Sequence, residues 1–80
     1  MTNTADARAA IREAIRTLLD RKGEPEASIS PESELSGDLG LDSREMAELS
    51  AILEERFGRD PFAEGIVPET VAELDDFYSA

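Results

Sequence analysis

Asp42 to Gly58, DSREMAELSAILEERFG, reads as a helix with both ends marked. Asp42 is a good N-cap, and Glu45, three residues on, completes an acidic version of the capping box. Met46, Leu49, Leu53 and Phe57 recur at spacings of 3, 4 and 4, with Ile52 widening the stripe. That is one apolar face of an α-helix. Gly58 stops it. The pattern predicts a helix over 43–57, with Ser43 at its first position. The Ser43 hydroxyl is then exposed beside the free N–H groups and partial positive charge of the first turn.

Upstream, Glu24 to Leu41 has neither helical nor strand period and carries Pro25, Pro31, Gly37, Gly40 and four serines. With Gly23 it makes a connection over 23–41. Loops this long in a compact domain are uncommon and often functional. Leu35, Leu39 and Leu41 are expected to pin it to the core. Before it, Ile11, Ile15, Leu18 and Leu19, extended by Ala7 and Ala14, mark a helix over about 4–22. Thr4 is its expected cap, Gly23 its C′ residue and Pro25 a block to continuation. Arg8, Arg12 and Arg16 form an i, i+4 row on another face.

Downstream, Asp60 to Gly65 is expected to form a short helical turn over about 60–64, with Pro61 at its first position and Phe62 turned inward. Thr70-Val-Ala-Glu73 is a capping box that opens a helix over 70–79. Its inner face is Val71, Leu74, Phe77 and Tyr78. No segment alternates at period 2 over strand length. The expected fold is all-α: a small bundle of three main helices and one short one, forming a single domain over 1–80.

The chemistry available is narrow. The 80 residues contain no histidine and no cysteine, one lysine (Lys22) and one tyrosine (Tyr78). The commonest general base, the commonest zinc ligand and any thiolate are therefore missing. The net charge is −11, unevenly placed: residues 1–22 carry five basic and three acidic groups, and residues 23–80 carry three basic and sixteen acidic ones. Such a surface repels nucleic acid and anionic lipid and favours basic protein partners. No apolar run approaches the length needed to span a bilayer, and Met1 to Asp6 lacks the marks of a signal peptide. A soluble, cytoplasmic, monomeric protein is expected.

Ser43 is then a cap neighbour, a nucleophile or an attachment point. A hydrolytic serine needs a base and an orienting third group. Leu41-Asp42-Ser43-Arg44-Glu45 is not G-x-S-x-G, and nothing in the sequence brings Lys22 near. An EF-hand loop counted from Asp38 puts Gly40 at position 3 and Leu49 at position 12, so calcium is rejected and no metal ligands are assigned.

The third option rests on a resemblance. Leu39-Gly-Leu-Asp-Ser43, the following "EL" and "LEERFG", and the closing "PETVAELDDFY" resemble the acyl carrier and peptidyl carrier proteins along the whole chain. The resemblance implies that Ser43 receives 4′-phosphopantetheine from coenzyme A, installed by a Mg²⁺-dependent phosphopantetheinyl transferase. It implies that Asp42 is the motif aspartate and helix cap. It further implies a thioester cargo on the arm and no catalysis by the chain itself. Glu48, Glu54 and Glu55 match the partner-facing acidic side of the family's second helix.

Arg44 departs from the leucine usual in the family, so it is expected to alter partner choice and to reach the phosphate; pairing with Glu48 at i, i+4 is the plain alternative. Ala47 and Ala51 are smaller than the residues common in fatty-acid carriers. The expected function is a stand-alone carrier in polyketide or nonribosomal peptide-type metabolism. A ligase or acyltransferase loads it, and condensing or tailoring enzymes use it. The alternatives are a housekeeping fatty-acid carrier and an unmodified acidic interaction module. Met46, Leu49, Leu53 and Phe57 are assigned to the core, as are Phe62 and Ile66, with an acyl cavity as the second reading of that last pair.

Overall fold

A computed structural model describes residues 4–24 and 27–79. Pro25, expected to block the first helix, lies outside the described residues, as does the Thr4 side chain expected to cap it. The order of elements is α1 (Thr4–Arg21), α2 (Ser43–Phe57), a single 3₁₀ turn (Phe62–Glu64) and α3 (Val71–Ser79). The fold is all-helical, and α1 packs against both α2 and α3. Only an isolated antiparallel bridge, Glu34 with Thr70, breaks the helical pattern among the described residues.

The core follows from the apolar faces. Ala7, Ile11, Ile15, Leu18 and Leu19 of α1 meet Leu49 and Leu53 of α2 and Val71, Leu74 and Tyr78 of α3, all nearly inaccessible to water. Each buried leucine or isoleucine contributes about 1.5–3 kcal/mol in transfer free energy. In α2 the stripe is graded: Leu49 and Leu53 are buried, while Met46, Ile52 and Phe57 are half-buried at its margin.

Gly23 ends α1 in the left-handed region, at φ +83°. The Glu24 N–H reaches the Leu19 carbonyl (2.8 Å) and the Gly23 N–H reaches that of Asp20 (3.1 Å). These are the two bonds of a Schellman cap.

The long connection is fixed, not loose. Leu35, Leu39 and Leu41 are buried. Its backbone also ties to the start of α3: the Leu35 N–H donates to the Glu69 carbonyl (2.9 Å), while the N–H groups of Val71 and Ala72 donate to the carbonyls of Ser33 (3.1 Å) and Pro31 (2.9 Å). The loop thus supplies acceptors for donors that a helix start leaves without intrahelical partners. The Asp38 carboxylate accepts from the Glu34 N–H (2.7 Å) and closes the turn that leads to Leu41.

The arginine row of α1 has structural work. Arg12 makes a bidentate pair with Asp75 of α3 (2.9 and 3.1 Å), and Asp75 is buried. Arg16 donates to the Ala27 carbonyl (2.8 Å) and holds the loop against α1. The short turn corrects one expectation: Pro61 takes the buried position, and Phe62 is 38% exposed. With about three residues per turn, the residue after an inward Pro61 swings roughly a third of a turn toward solvent.

Candidate functional site

The site is the junction of loop and α2. Gly40, at φ +67°, redirects the chain, Leu41 anchors it in the core, and Asp42 follows with extended backbone (φ −83°, ψ 178°). The Asp42 carboxylate accepts from the Glu45 N–H (2.8 Å), and the Glu45 carboxylate accepts from the Asp42 N–H (3.1 Å). This reciprocal pair is a complete capping box.

Lys22, at the end of α1, reaches the same place. Its ammonium donates to the Gly40 carbonyl and to the Glu45 carboxylate (2.9 Å). The bond to Glu45 raises the Lys22 pKa above its ordinary value, so this side chain is a fixed cation and not a base. No short-range sequence signal could find this contact, because Lys22 and Glu45 are 23 residues apart.

Ser43, the first residue of α2, is exposed, and its hydroxyl has no hydrogen-bond partner among the described residues. The Glu45 N–H goes to Asp42 and the Met46 N–H to the Asp42 carbonyl (2.8 Å). The N–H groups of Ser43 and Arg44 have no acceptor among the described residues. The arrangement offers a free hydroxyl, free donors and the positive end of a helix, which together suit a covalently attached phosphodiester.

A cleft of about 360 Å³ is lined by Ser43, Ala47, Ser50, Asp60 and Phe62, and two dissimilar clefts meet the Asp42–Arg44 segment. One, about 440 Å³, is lined mainly by apolar groups, including Leu35, Met46, Phe62, Val67 and Pro68 beside Ser43 itself. The other, about 350 Å³, lies on the α1 side and is lined by Arg21, Lys22, Asp42, Arg44, Glu45 and Glu48 over Leu18. Met46, assigned to the core, is half-buried and also faces the apolar cleft. Phe62 lines that cleft as well. Ile66, 44% exposed, lines a separate one with Arg59 and Phe77.

The expected partner-facing residues divide. Glu54 and Glu55 are exposed and without ion pairs among the described residues. Glu48 is half-buried and paired with Arg21 of α1, so it belongs to the fold as much as to the surface. Arg44 is exposed and does not make the i, i+4 pair with Glu48, whose carboxylate pairs with Arg21 instead. Among the described residues no histidine, cysteine, aspartate or glutamate cluster could hold a metal ion, and no helix is long and apolar enough to cross a membrane.

The family model described as phosphopantetheine attachment site matches residues 9–66. That span runs from the first turns of α1 through the long connection, Ser43 and α2 to just past the 3₁₀ turn. No curated protein and no solved structure matches the chain. Domains of this family carry 4′-phosphopantetheine covalently on a serine and are partners of phosphopantetheinyl transferases and biosynthetic enzymes. With well over half its length matched, the chain belongs to the phosphopantetheine attachment family, whose members are carriers and not catalysts.

Proposed function

We propose that Ser43 is the attachment serine, and that the chain carries an acyl or aminoacyl intermediate as a thioester in polyketide or nonribosomal peptide-type specialised metabolism. The observation that carries the site is the unbonded, exposed Ser43 hydroxyl at the first position of α2, directly after a capping aspartate. The other serines of the matched span fit less well. Ser33 and Ser50 are buried, Ser30 is bonded to Ser33, and Ser28 and Ser36 lie in the loop away from any helix start.

In the reaction, the Ser43 oxygen attacks the pyrophosphate of coenzyme A. A new P–O bond forms, the bridging P–O bond breaks, and adenosine 3′,5′-bisphosphate leaves. The proton of the hydroxyl must be taken by the transferase, since the one amine near the site, Lys22, is held protonated by Glu45. This chain contributes a rigid platform: the capping box and Lys22 fix the backbone on which the hydroxyl stands. The group supplies a thiol on a flexible arm, which the chain itself lacks.

Specialised metabolism is supported by the face beside Ser43. Arg44 interrupts the acidic surface, and Ala47 and Ala51 present only small side chains on it. Arg44, Glu54 and Glu55 are the partner-facing residues, with Glu48 a contributor already committed to Arg21. A loading ligase or acyltransferase and condensing or tailoring enzymes are the partners this reading requires. The housekeeping fatty-acid alternative draws support from the apolar cleft beside Ser43, which suits an alkyl chain.

The deciding experiment is intact mass after incubation with coenzyme A, Mg²⁺ and a broad-specificity transferase. Wild type gains one phosphopantetheine and Ser43→Ala gains none. A folded wild-type protein that gains nothing, or an alanine variant that still gains the group, removes Ser43 from this role.

A further inference from the structure

Arg44 lines a cleft that holds three cations and three carboxylates, yet it makes no ion pair among the described residues. Asp42, Glu45 and Glu48 line the polar cleft with it, together with Arg21 and Lys22. Each carboxylate is already engaged. Asp42 accepts the Glu45 N–H, Glu45 takes Lys22 and the Asp42 N–H, and Glu48 takes Arg21. Arg44 has no acceptor among the described residues. Its guanidinium is always charged and presents a planar fork of donors suited to two oxygens of one phosphate.

The proposed attachment brings an anion with which Arg44 can pair. A phosphodiester on the Ser43 oxygen carries one negative charge and is rooted on the adjacent residue; consecutive helix side chains diverge, so the long Arg44 side chain folds back over the first turn to meet it. We infer that Arg44 is the arm's anchor: it pairs with the phosphodiester and fixes the root of the arm at the boundary between the polar and apolar clefts. This rests on Ser43 being the attachment point. It follows that Arg44 reports the state of the carrier. In the unmodified protein it projects a positive charge into the face that enzymes meet. In the modified protein that charge is cancelled, leaving Glu54 and Glu55 to dominate what a basic partner meets. Enzymes that use the loaded arm are thereby favoured over the one that installs it.

The test compares ¹⁵N-labelled unmodified and modified protein in the same buffer, with conversion checked by intact mass. On conversion the Arg44 Nε–H resonance shifts. It returns toward its unmodified position as NaCl is raised to about 1 M, where the screening length is roughly 3 Å. The ³¹P resonance of the arm moves in Arg44→Leu relative to wild type and lies between the two in Arg44→Lys, which keeps the charge but not the fork. Leucine is as good a helix former as arginine and the position is exposed, so the fold survives, as circular dichroism checks. An Arg44 resonance that is unchanged on conversion overturns the inference, as does a ³¹P resonance that is the same in wild type and Arg44→Leu. Failure of the mass gain overturns Ser43 as the attachment point, and this inference with it, so the two failures are told apart.

Discussion

The two ends of α2 are built differently, although the same helix joins them over a length of about 22 Å. Past the C-terminal end a linked set of polar and aromatic groups closes the structure, while Glu54, Glu55 and Arg56 on the outer side of the last turn make no ion pair among the described residues. The Tyr78 hydroxyl donates to the Arg59 carbonyl (3.0 Å), and Arg59 donates to the Phe77 carbonyl (3.0 Å) and the Glu64 carboxylate (2.9 Å). The Arg59 guanidinium also lies 4.1 Å from the Phe77 ring centre, and Tyr78 packs on both Phe57 and Phe77. At the N-terminal end the backbone is equally well fixed by Asp42, Glu45 and Lys22, yet the Ser43 hydroxyl and the Arg44 guanidinium have no partners among the described residues. The difference shows where the molecule spends its polar groups on stability and where it keeps them available.

The largest effect is expected at the closed end. Tyr78→Ala removes a buried ring and its hydroxyl bond, a loss of about 3 kcal/mol for a large aromatic in a core. In a domain of this size that lowers Tm by more than 10 °C, read by circular dichroism. Mass gain at Ser43 persists at temperatures where the variant is still folded. Loss of modification in a folded Tyr78→Ala protein would break the separation of the two ends. Burial pushes the Tyr78 hydroxyl up to about 12, from an ordinary value near 10, with Asp60 adding to the rise. The folded state then holds the proton that the unfolded state releases, so the Tyr78 contribution to stability is constant below about pH 10 and falls between about 10 and 12. Tyr78→Phe flattens that fall.

At the open end, Asp42→Ala is expected to cost about 1 kcal/mol, the usual loss of an N-cap. Its effect on the rate of Ser43 modification is expected to exceed what the Tm change implies, because the residue next to the lost cap is the proposed attachment serine. A variant that is destabilised by this amount yet modified at the wild-type rate would show that cap geometry does not matter to the transferase.

This division of labour was only partly legible in the sequence. The α2 capping box, stripe and terminal glycine are local signals, so the helix and the exposure of Ser43 could be read directly. The three loop leucines were legible for the same reason: isolated apolar residues in a polar stretch have few places to go but the core. Contacts distant in sequence were not legible. The partner of Arg12 is Asp75, 63 residues on, and Glu48 looked free because Arg21, 27 residues earlier, carries no mark of its destination. Phe62 was misplaced because a single 3₁₀ turn has too few residues to show a face.

The smallest stability effect belongs to Lys22. Its ammonium ties the end of α1 to Gly40 and Glu45, and so to both sides of the Asp42–Ser43 step, but the pair is near the surface. Surface ion pairs contribute little to stability and weaken with salt. Lys22→Met keeps the aliphatic stem and removes the charge, so Tm is expected to move only slightly, and less at high salt. The local consequence is larger. Without Lys22 the Gly40 carbonyl loses its bond and Glu45 keeps only the Asp42 N–H, so the amides of residues 40–45 exchange with deuterium faster while those of the core do not. Modification of Ser43 slows through KM and kcat together, and Lys22→Arg restores part of it. Uniform acceleration of exchange across the core would instead make Lys22 an ordinary stabilising residue and would erase its distinction from Arg59 at the other end.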